Sequence, residues 1–408
     1  MKNNISNSLK IWLISFSLCA LAPAAYAEEK PTTISPWVYK QLSKAEALIG
    51  KQAYPKARQK LQKILPELDK NSYEQAITLR SLASVYALEN QYQKSAKLLE
   101  QSLSTGALTE QQQQEAVLNL GQLYMATEQY QKAVSKLDPW LKQNPTTKNT
   151  QVRVLLANAY AQLKQYRKAL PYIETVIKNS KKPKESWLQL NLALYYELEN
   201  YSAAAGVLRR LVAQYPDKKD YWQQLSSIYQ QLQQFPDALA IKHLAYKKGF
   251  IKSETEILQL FNLFLYNKQP YQAANFLAKE LNSKNVKQTA VNWELLANAW
   301  TSAREYKKAI NALEKASLLH EKGKLYLQLG RIHVEQELWQ AAITAIKKAL
   351  KKGGLKQTGE AYILLGMSYY ETQQLKSAEK AFKKAQQYRK TQKSAGQWLN
   401  YIVSDKNA

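Results

Sequence analysis

The chain has 408 residues, with 58 Lys and Arg against 32 Asp and Glu and a formal net charge of +26. It has three histidines and one cysteine, Cys19, which excludes a disulfide framework and any cysteine-rich metal site. In a cytoplasmic protein so basic a balance points to nucleic acid, a reading that the N-terminus removes.

Lys2 and Lys10 precede an apolar run over 11–22, followed by Pro23 and the small-residue site Ala25, Tyr26, Ala27. This order predicts a secretory signal at 1–27, cleaved before Glu28, and hence a periplasmic protein. The run is shorter than the ~20 residues that span a bilayer. Leu18 stands before Cys19 where a lipoprotein signal carries a small residue, so no lipid anchor is expected. The anions that an exported basic chain meets are membrane headgroups, cell-wall polymers and acidic protein segments.

After a short segment at 28–37, a pattern begins that repeats every 33 to 38 residues. Its first positions are Ala45, Ala83, Gly121, Ala157, Leu192, Ser226, Asn262, Ala297, Gly330 and Gly366. Twelve residues after each stands Ala or, once, Ser, with a bulky residue three positions before it. In the third repeat Val117, Leu120, Gly121 and Tyr124 fall on one helix face, and Tyr130, Ala133, Leu137 and Trp140 on another. Thr127, Glu128 and Gln129 form the turn between them, and Pro145 closes the repeat.

On these residues the chain resembles the tetratricopeptide-repeat family. That resemblance implies an all-α fold, an α-solenoid of about ten helix hairpins in a right-handed superhelix with a C-terminal capping helix. A helix end at Gly249 after Lys247 and Lys248 divides the array into 38–248 and 249–390, and Trp398, Leu399 and Ile402 place the cap in 391–408. The seventh repeat departs most. With Asn262 at its first position and Leu265 where Tyr is usual, its apolar run Leu260, Phe261, Phe264, Leu265 suggests a kink or a docking surface.

Site chemistry is sparse. His243, His320 and His333 have no metal-motif company, and no phosphate loop, nucleophile elbow or carboxylate pair occurs. The expectation is a non-enzyme without cofactors or metals. Lysines recur ahead of the second-helix Ala, at Lys94, Lys132, Lys168, Lys307 and Lys308, and imply a basic outer wall.

By the resemblance, the first helices line a concave groove. The candidate partner-binding residues there are Asn158, Gln189, Tyr196, Gln223, Gln230, Gln259, Tyr266, Asn298, Arg331 and Tyr370. Amides can bond an extended peptide or a glycan hydroxyl, and tyrosine adds a flat amphipathic surface.

A signal followed closely by Lys44, Ala45, Glu46, Ala47 and Tyr54, Pro55, Lys56, Ala57, then repeats to the C-terminus, is similar to the periplasmic accessory proteins of TonB-type energy-transduction systems. That resemblance implies an envelope scaffold whose partners are proteins of a TonB complex. The basic wall adds possible contact with an anionic envelope surface. The alternative is a module that handles peptidoglycan or another polysaccharide; no nucleic-acid partner is expected.

Overall fold

The computed structural model describes residues 32–145 and 149–407; the expected signal at 1–27 lies outside them. The described residues form helices, joined in pairs. Repeats one to three are α1 (Pro36–Gly50) with α2 (Tyr54–Ile64), α3 (Tyr73–Leu88) with α4 (Tyr92–Ser104), and α5 (Glu110–Ala126) with α6 (Tyr130–Gln143). Repeats four to six are α7 (Thr150–Gln162) with α8 (Tyr166–Lys178), α9 (Glu185–Glu197) with α10 (Tyr201–Gln214), and α11 (Lys219–Gln231) with α12 (Phe235–Lys247). Repeats seven to ten are α13 (Glu254–Tyr266) with α14 (Pro270–Asn282), α15 (Ala290–Ser302) with α16 (Tyr306–Leu319), α17 (Lys324–Glu335) with α18 (Trp339–Lys352), and α19 (Thr358–Glu371) with α20 (Leu375–Gln386). The last helix, α21 (Gln392–Asn407), packs on α20 and buries Ala395 and Ile402. The fold is an all-α solenoid of helix hairpins, divided into two compact units, Met1–Leu211 and Val212–Ala408.

Each hairpin turns by the same backbone device. Gln52, Asn90, Glu128, Lys164, Glu199, Gln233, Lys268, Arg304, Glu337 and Gln373 all have φ between 54° and 60°. The residue after each donates its N–H back to the last turn of the first helix, as Gln129 does to the Tyr124 carbonyl at 2.8 Å and Gln269 to that of Phe264 at 2.9 Å. This is the Schellman closure, which satisfies carbonyls that a helix end would leave unpaired.

The left-handed residue lies seven positions after the first position of a repeat, and this corrects the reading of repeat seven. Lys268 counts back to Phe261, so Phe261, fully buried, holds the first position, and Ala273 is its partner. Asn262 is exposed. The sequence frame was one residue late because Ala273 and Ala274 both fit the later Ala, and only the turn distinguishes them. In the corrected frame Phe264 takes the usual Tyr position, and Leu260, Phe261 and Phe264 are buried core.

The two helices of a hairpin approach closely at the first position. A Cβ on Gly121 would lie 2.8 Å from Leu137, one on Gly330 2.5 Å from Ile346, and one on Gly366 2.6 Å from Phe382. Each of these neighbours stands sixteen residues after the first position. The same column holds Leu61, Leu99, Leu137, Ile173, Leu208, Leu277, Leu313, Ile346 and Phe382, all fully buried, and it forms the spine of the core. Repeat six breaks it with Lys242.

Lysines brace the hairpins against aromatic rings. Near the turn, Lys94 lies over Tyr86, Lys132 over Tyr124, Lys168 over Tyr160 and Lys308 over Trp300, at 4.5 to 5.9 Å from the ring centres. At the open end Lys315 covers Trp293, Lys348 covers Tyr326 and Lys384 covers Tyr362. A cation over a ring face is held by the ring quadrupole. The recurrent lysines of the second helices therefore have an intramolecular role beyond a solvated face.

Residue 249 falls inside the second unit, where repeats six and seven are bonded to one another. Gly249, at φ +75°, ends α12. Tyr246 packs edge-on against Phe276 at 5.0 Å and donates its hydroxyl to the buried Glu280 at 2.6 Å, while His243 meets Phe264 at 5.6 Å.

Candidate functional site

All ten candidate groove residues lie on first helices, but they are not equivalent. Within the first unit, Asn158 donates to the Val154 carbonyl at 2.8 Å, Gln189 is exposed beside Glu185, and Tyr196 packs edge-on against Tyr201. Within the second, Gln230 turns back to the Ser226 carbonyl and Tyr266 stacks on Phe235 at 5.4 Å while remaining 69% exposed. Asn298 accepts from Gln328, and Arg331 pairs with Glu360 and Gln357. Tyr370 packs against Trp398 and Tyr401 of α21, so the capping helix covers part of it.

Gln223 and Gln259 converge on one cavity. It measures about 220 Å³ and opens between α11, α12 and α13, lined by Trp222, Gln223, Ser226, Ser227, Lys242, Glu256 and Gln259, with Ala245 and Ile251.

The cavity exists because of the break in the core spine. A leucine in the Lys242 position would fill the space beside the small Ser226. Lysine cannot bury its ammonium there without a partner, so the chain leans outward, and its Nζ donates to Gln259 Oε1 at 2.6 Å. Ser226, buried opposite, sends its hydroxyl to the Ala238 carbonyl at 3.0 Å and stays within the hairpin.

Glu256 is the electrostatic hub. It closes a capping box at the start of α13, its Oε2 accepting from the Ser253 hydroxyl at 2.9 Å and from the Ser253 and Lys252 N–H groups. Its Oε1 accepts from Lys219 at 2.8 Å and from Gln223 Nε2 at 2.7 Å. Burial by itself would raise the carboxyl, but Lys219 and the Ser253 and Lys252 donors outweigh it and pull the pKa to about 2. Burial pushes the Lys242 ammonium below its ordinary value, and Glu256 offsets part of that through space.

Sequence reasoning missed Lys242, Glu256 and Lys219, and it put Asn262 at the first position of repeat seven. Aligning the columns sixteen residues on would have shown Lys242 as the sole charged member. In the corrected frame Asn262 follows the first position, where Asn158 and Asn298 stand in their repeats.

Among the described residues no group of three His, Cys, Asp or Glu could hold a metal, and no helix is long and apolar enough to cross a membrane.

The tetratricopeptide-repeat family matches residues 154–219 and 327–395. Those two stretches match the tetratricopeptide repeat, and the other described helix hairpins follow the same pattern. A family described as anaphase-promoting complex, cyclosome, subunit 3 matches residues 89–176. Among solved structures, a tetratricopeptide repeat protein from Parabacteroides merdae is 14% identical with a TM-score of 0.39, over 74% of this chain and 100% of that one. YrrB, described as having an unusual peptide-binding site, is 14% identical with a TM-score of 0.37, over 48% of this chain and all of its own. The Cut9–Hcn1 hetero-tetramer is 12% identical with a TM-score of 0.29, over 91% of this chain and 78% of that chain. No curated protein matches the chain. Tetratricopeptide arrays generally act as non-enzymatic scaffolds for protein–protein interaction, presenting extended binding surfaces built from successive repeats.

Proposed function

We propose that this tetratricopeptide protein is an exported periplasmic adaptor that holds a polypeptide segment of an envelope protein along its first helices, and that it serves a TonB-type energy-transduction complex. The observation that carries the binding role is the cleft of repeat six, where a core position is given up to Lys242 and amide and hydroxyl groups line the walls beside Trp222, Ala245, Ile251 and Glu256. Proteins depart from their own packing pattern chiefly at functional positions. Export is supported by the signal pattern at 1–27, and the TonB role by the resemblance of the N-terminal repeats.

The test places a photo-crosslinking amino acid at Gln259 in intact cells. The expected result is a crosslink to an inner-membrane energy-transduction protein, weakened at least several-fold by Lys242→Leu. Crosslinks confined to polysaccharide, or fractionation of the chain with the cytoplasm, would overturn the proposal.

A further inference from the structure

The end of α16 departs from the other hairpins. Twenty-one and twenty-two positions after the first, where the second helix runs out, repeat three has Lys142 and Gln143, repeat six Lys247 and Lys248, and repeat nine Lys351 and Lys352. Repeat eight has Leu318 and Leu319, 72% and 56% exposed, and in no other repeat are both positions apolar. Neither leucine serves the core, which α16 reaches through Ala309, Ala312, Leu313 and Ala316. Single exposed leucines are ordinary, but two in succession at a helix end leave a continuous apolar tip in water.

Cations surround that tip. Lys352 donates to the Ser317 and His320 carbonyls at 3.1 and 2.6 Å, and the Gly323 N–H donates to the Gly353 carbonyl at 2.9 Å, so the ends of α16 and α18 are bonded together. These bonds bring Lys322, Lys351 and Lys356, all exposed, to the edge on which the leucines stand, with Glu321 as the acid of the connection. Lys324 is paired with Glu294, but among the described residues no carboxylate pairs with Lys322, Lys351 or Lys356. Lysines on the hairpin walls, by contrast, lie over rings, as Lys315 does over Trp293 and Lys348 over Tyr326. The acids of repeat nine, Glu335 and Glu337, stand at its turn, the opposite end of the same helices.

We infer that the edge formed by the ends of α16 and α18 docks on an anionic lipid bilayer, with Leu318 and Leu319 entering the headgroup region and Lys322, Lys351 and Lys356 meeting lipid phosphates. This goes beyond the adaptor reading and does not depend on it. A projecting apolar tip needs a matching pocket in a folded partner, whereas a bilayer yields around it and offers anions on every side. Peripheral binding of this kind grows with the apolar area inserted and with the attraction of nearby cations to anionic headgroups. The contact reaches one leaflet only, since among the described residues no helix is long and apolar enough to cross a membrane.

The experiment floats the chain from Glu28 onward with vesicles of phosphatidylcholine, alone or mixed with phosphatidylglycerol, at ~0.15 M salt, where exposed charges are screened beyond ~8 Å. Three variants are compared. The first combines Leu318→Ser with Leu319→Ser, and the second combines Lys322→Gln, Lys351→Gln and Lys356→Gln. The third, Lys268→Gln with Lys307→Gln and Lys376→Gln, removes the same charge from exposed positions at the turns. A melt checks that each variant is folded. In a separate arm a polarity-sensitive dye is attached to Leu318→Cys or to Lys307→Cys, the chain from Glu28 having no other cysteine.

The expected result is binding that requires phosphatidylglycerol, weakened at least about tenfold by the leucine pair and by the edge lysines, and less than about twofold by the turn lysines. The dye at 318 should shift its emission to the blue on the same vesicles, and the dye at 307 should not; this readout stands even where the serine pair lowers stability. No binding to phosphatidylglycerol vesicles, equal losses from edge and turn lysines, or an unshifted dye at 318 overturns the inference. Binding of a soluble polyanion that the leucine change leaves intact, without binding to vesicles, also overturns it and assigns the edge to a polymer.

Discussion

The Lys308 ammonium lies 4.5 Å from the centre of the Trp300 ring, bridging the second helix of repeat eight to the first. Lys307, one position earlier, is exposed on the same turn. Partly exposed cation–π contacts contribute ~0.5–1 kcal/mol. Lys308→Met should therefore lower stability by about that amount in a denaturant melt, whereas Lys307→Met should change it by less than ~0.3 kcal/mol. Equal effects at the two positions would show that net charge, and not the ring, is responsible.

Gly366 has no room for a methyl group. A Cβ there would meet three Phe382 ring atoms between 2.6 and 2.8 Å, and the ring is fully buried. Gly366→Ala should cost ~1–3 kcal/mol through overpacking, more than the ~1 kcal/mol that alanine offers a helix. Combined with Phe382→Leu, it should cost less than the sum of the single changes. Strict additivity in that double-mutant cycle would refute the contact.

Lys164 holds the left-handed turn of repeat four at φ 57°. A side chain in that conformation costs about 1 kcal/mol that glycine avoids. Lys164→Gly is expected to raise the melting midpoint. A fall would mean that the lysine side chain contributes more than the backbone strain costs.

Lys242→Leu should stabilise the chain by about 1–2 kcal/mol, because a leucine fills the cavity and no half-buried cation remains in it. Loss of stability would show that the lysine is structural. Gain of stability together with loss of the Gln259 crosslink is the signature of a site maintained at a cost to packing.

His333 stands at the tyrosine position of repeat nine, 7% exposed, with its Nδ1 buried and without a partner among the described residues. Burial lowers its pKa, and Glu314 opposes this only in part. A histidine with a folded pKa below the unfolded ~6.5 binds protons more readily when unfolded. Its contribution to stability is complete above that pH and is lost as pH falls through the window between the two values. His333→Phe should flatten the dependence of the melting temperature on pH below ~6.5; an unchanged slope would assign the acid sensitivity to other groups.

The fold was legible because its rule is local. Small residues at Gly121, Ala297 and Gly366, followed at fixed distance by Ala133, Ala309 and Ala378, state a helix hairpin whatever surrounds it. The frame of repeat seven was less legible, since Ala273 and Ala274 satisfy the same pattern and the turn at Lys268 decides between them. Of the groove, Gln223 and Gln259 were found as polar first-helix residues, but their meeting was not, because their distance depends on how α11, α12 and α13 pack. Tyr370 looked like its groove counterparts until α21 was seen to cover it.

The sequence by itself determined the repeat, its helix pairs and its small and large positions, all consequences of side-chain size at intervals a helix can count. Only the tertiary structure decided which polar residues act together. Lys242 lies on α12 while Glu256 and Gln259 lie on α13, and they become one site through packing between repeats. The physical reason is that periodicity encodes what each helix buries, whereas a cleft arises where a neighbour fails to fill the space.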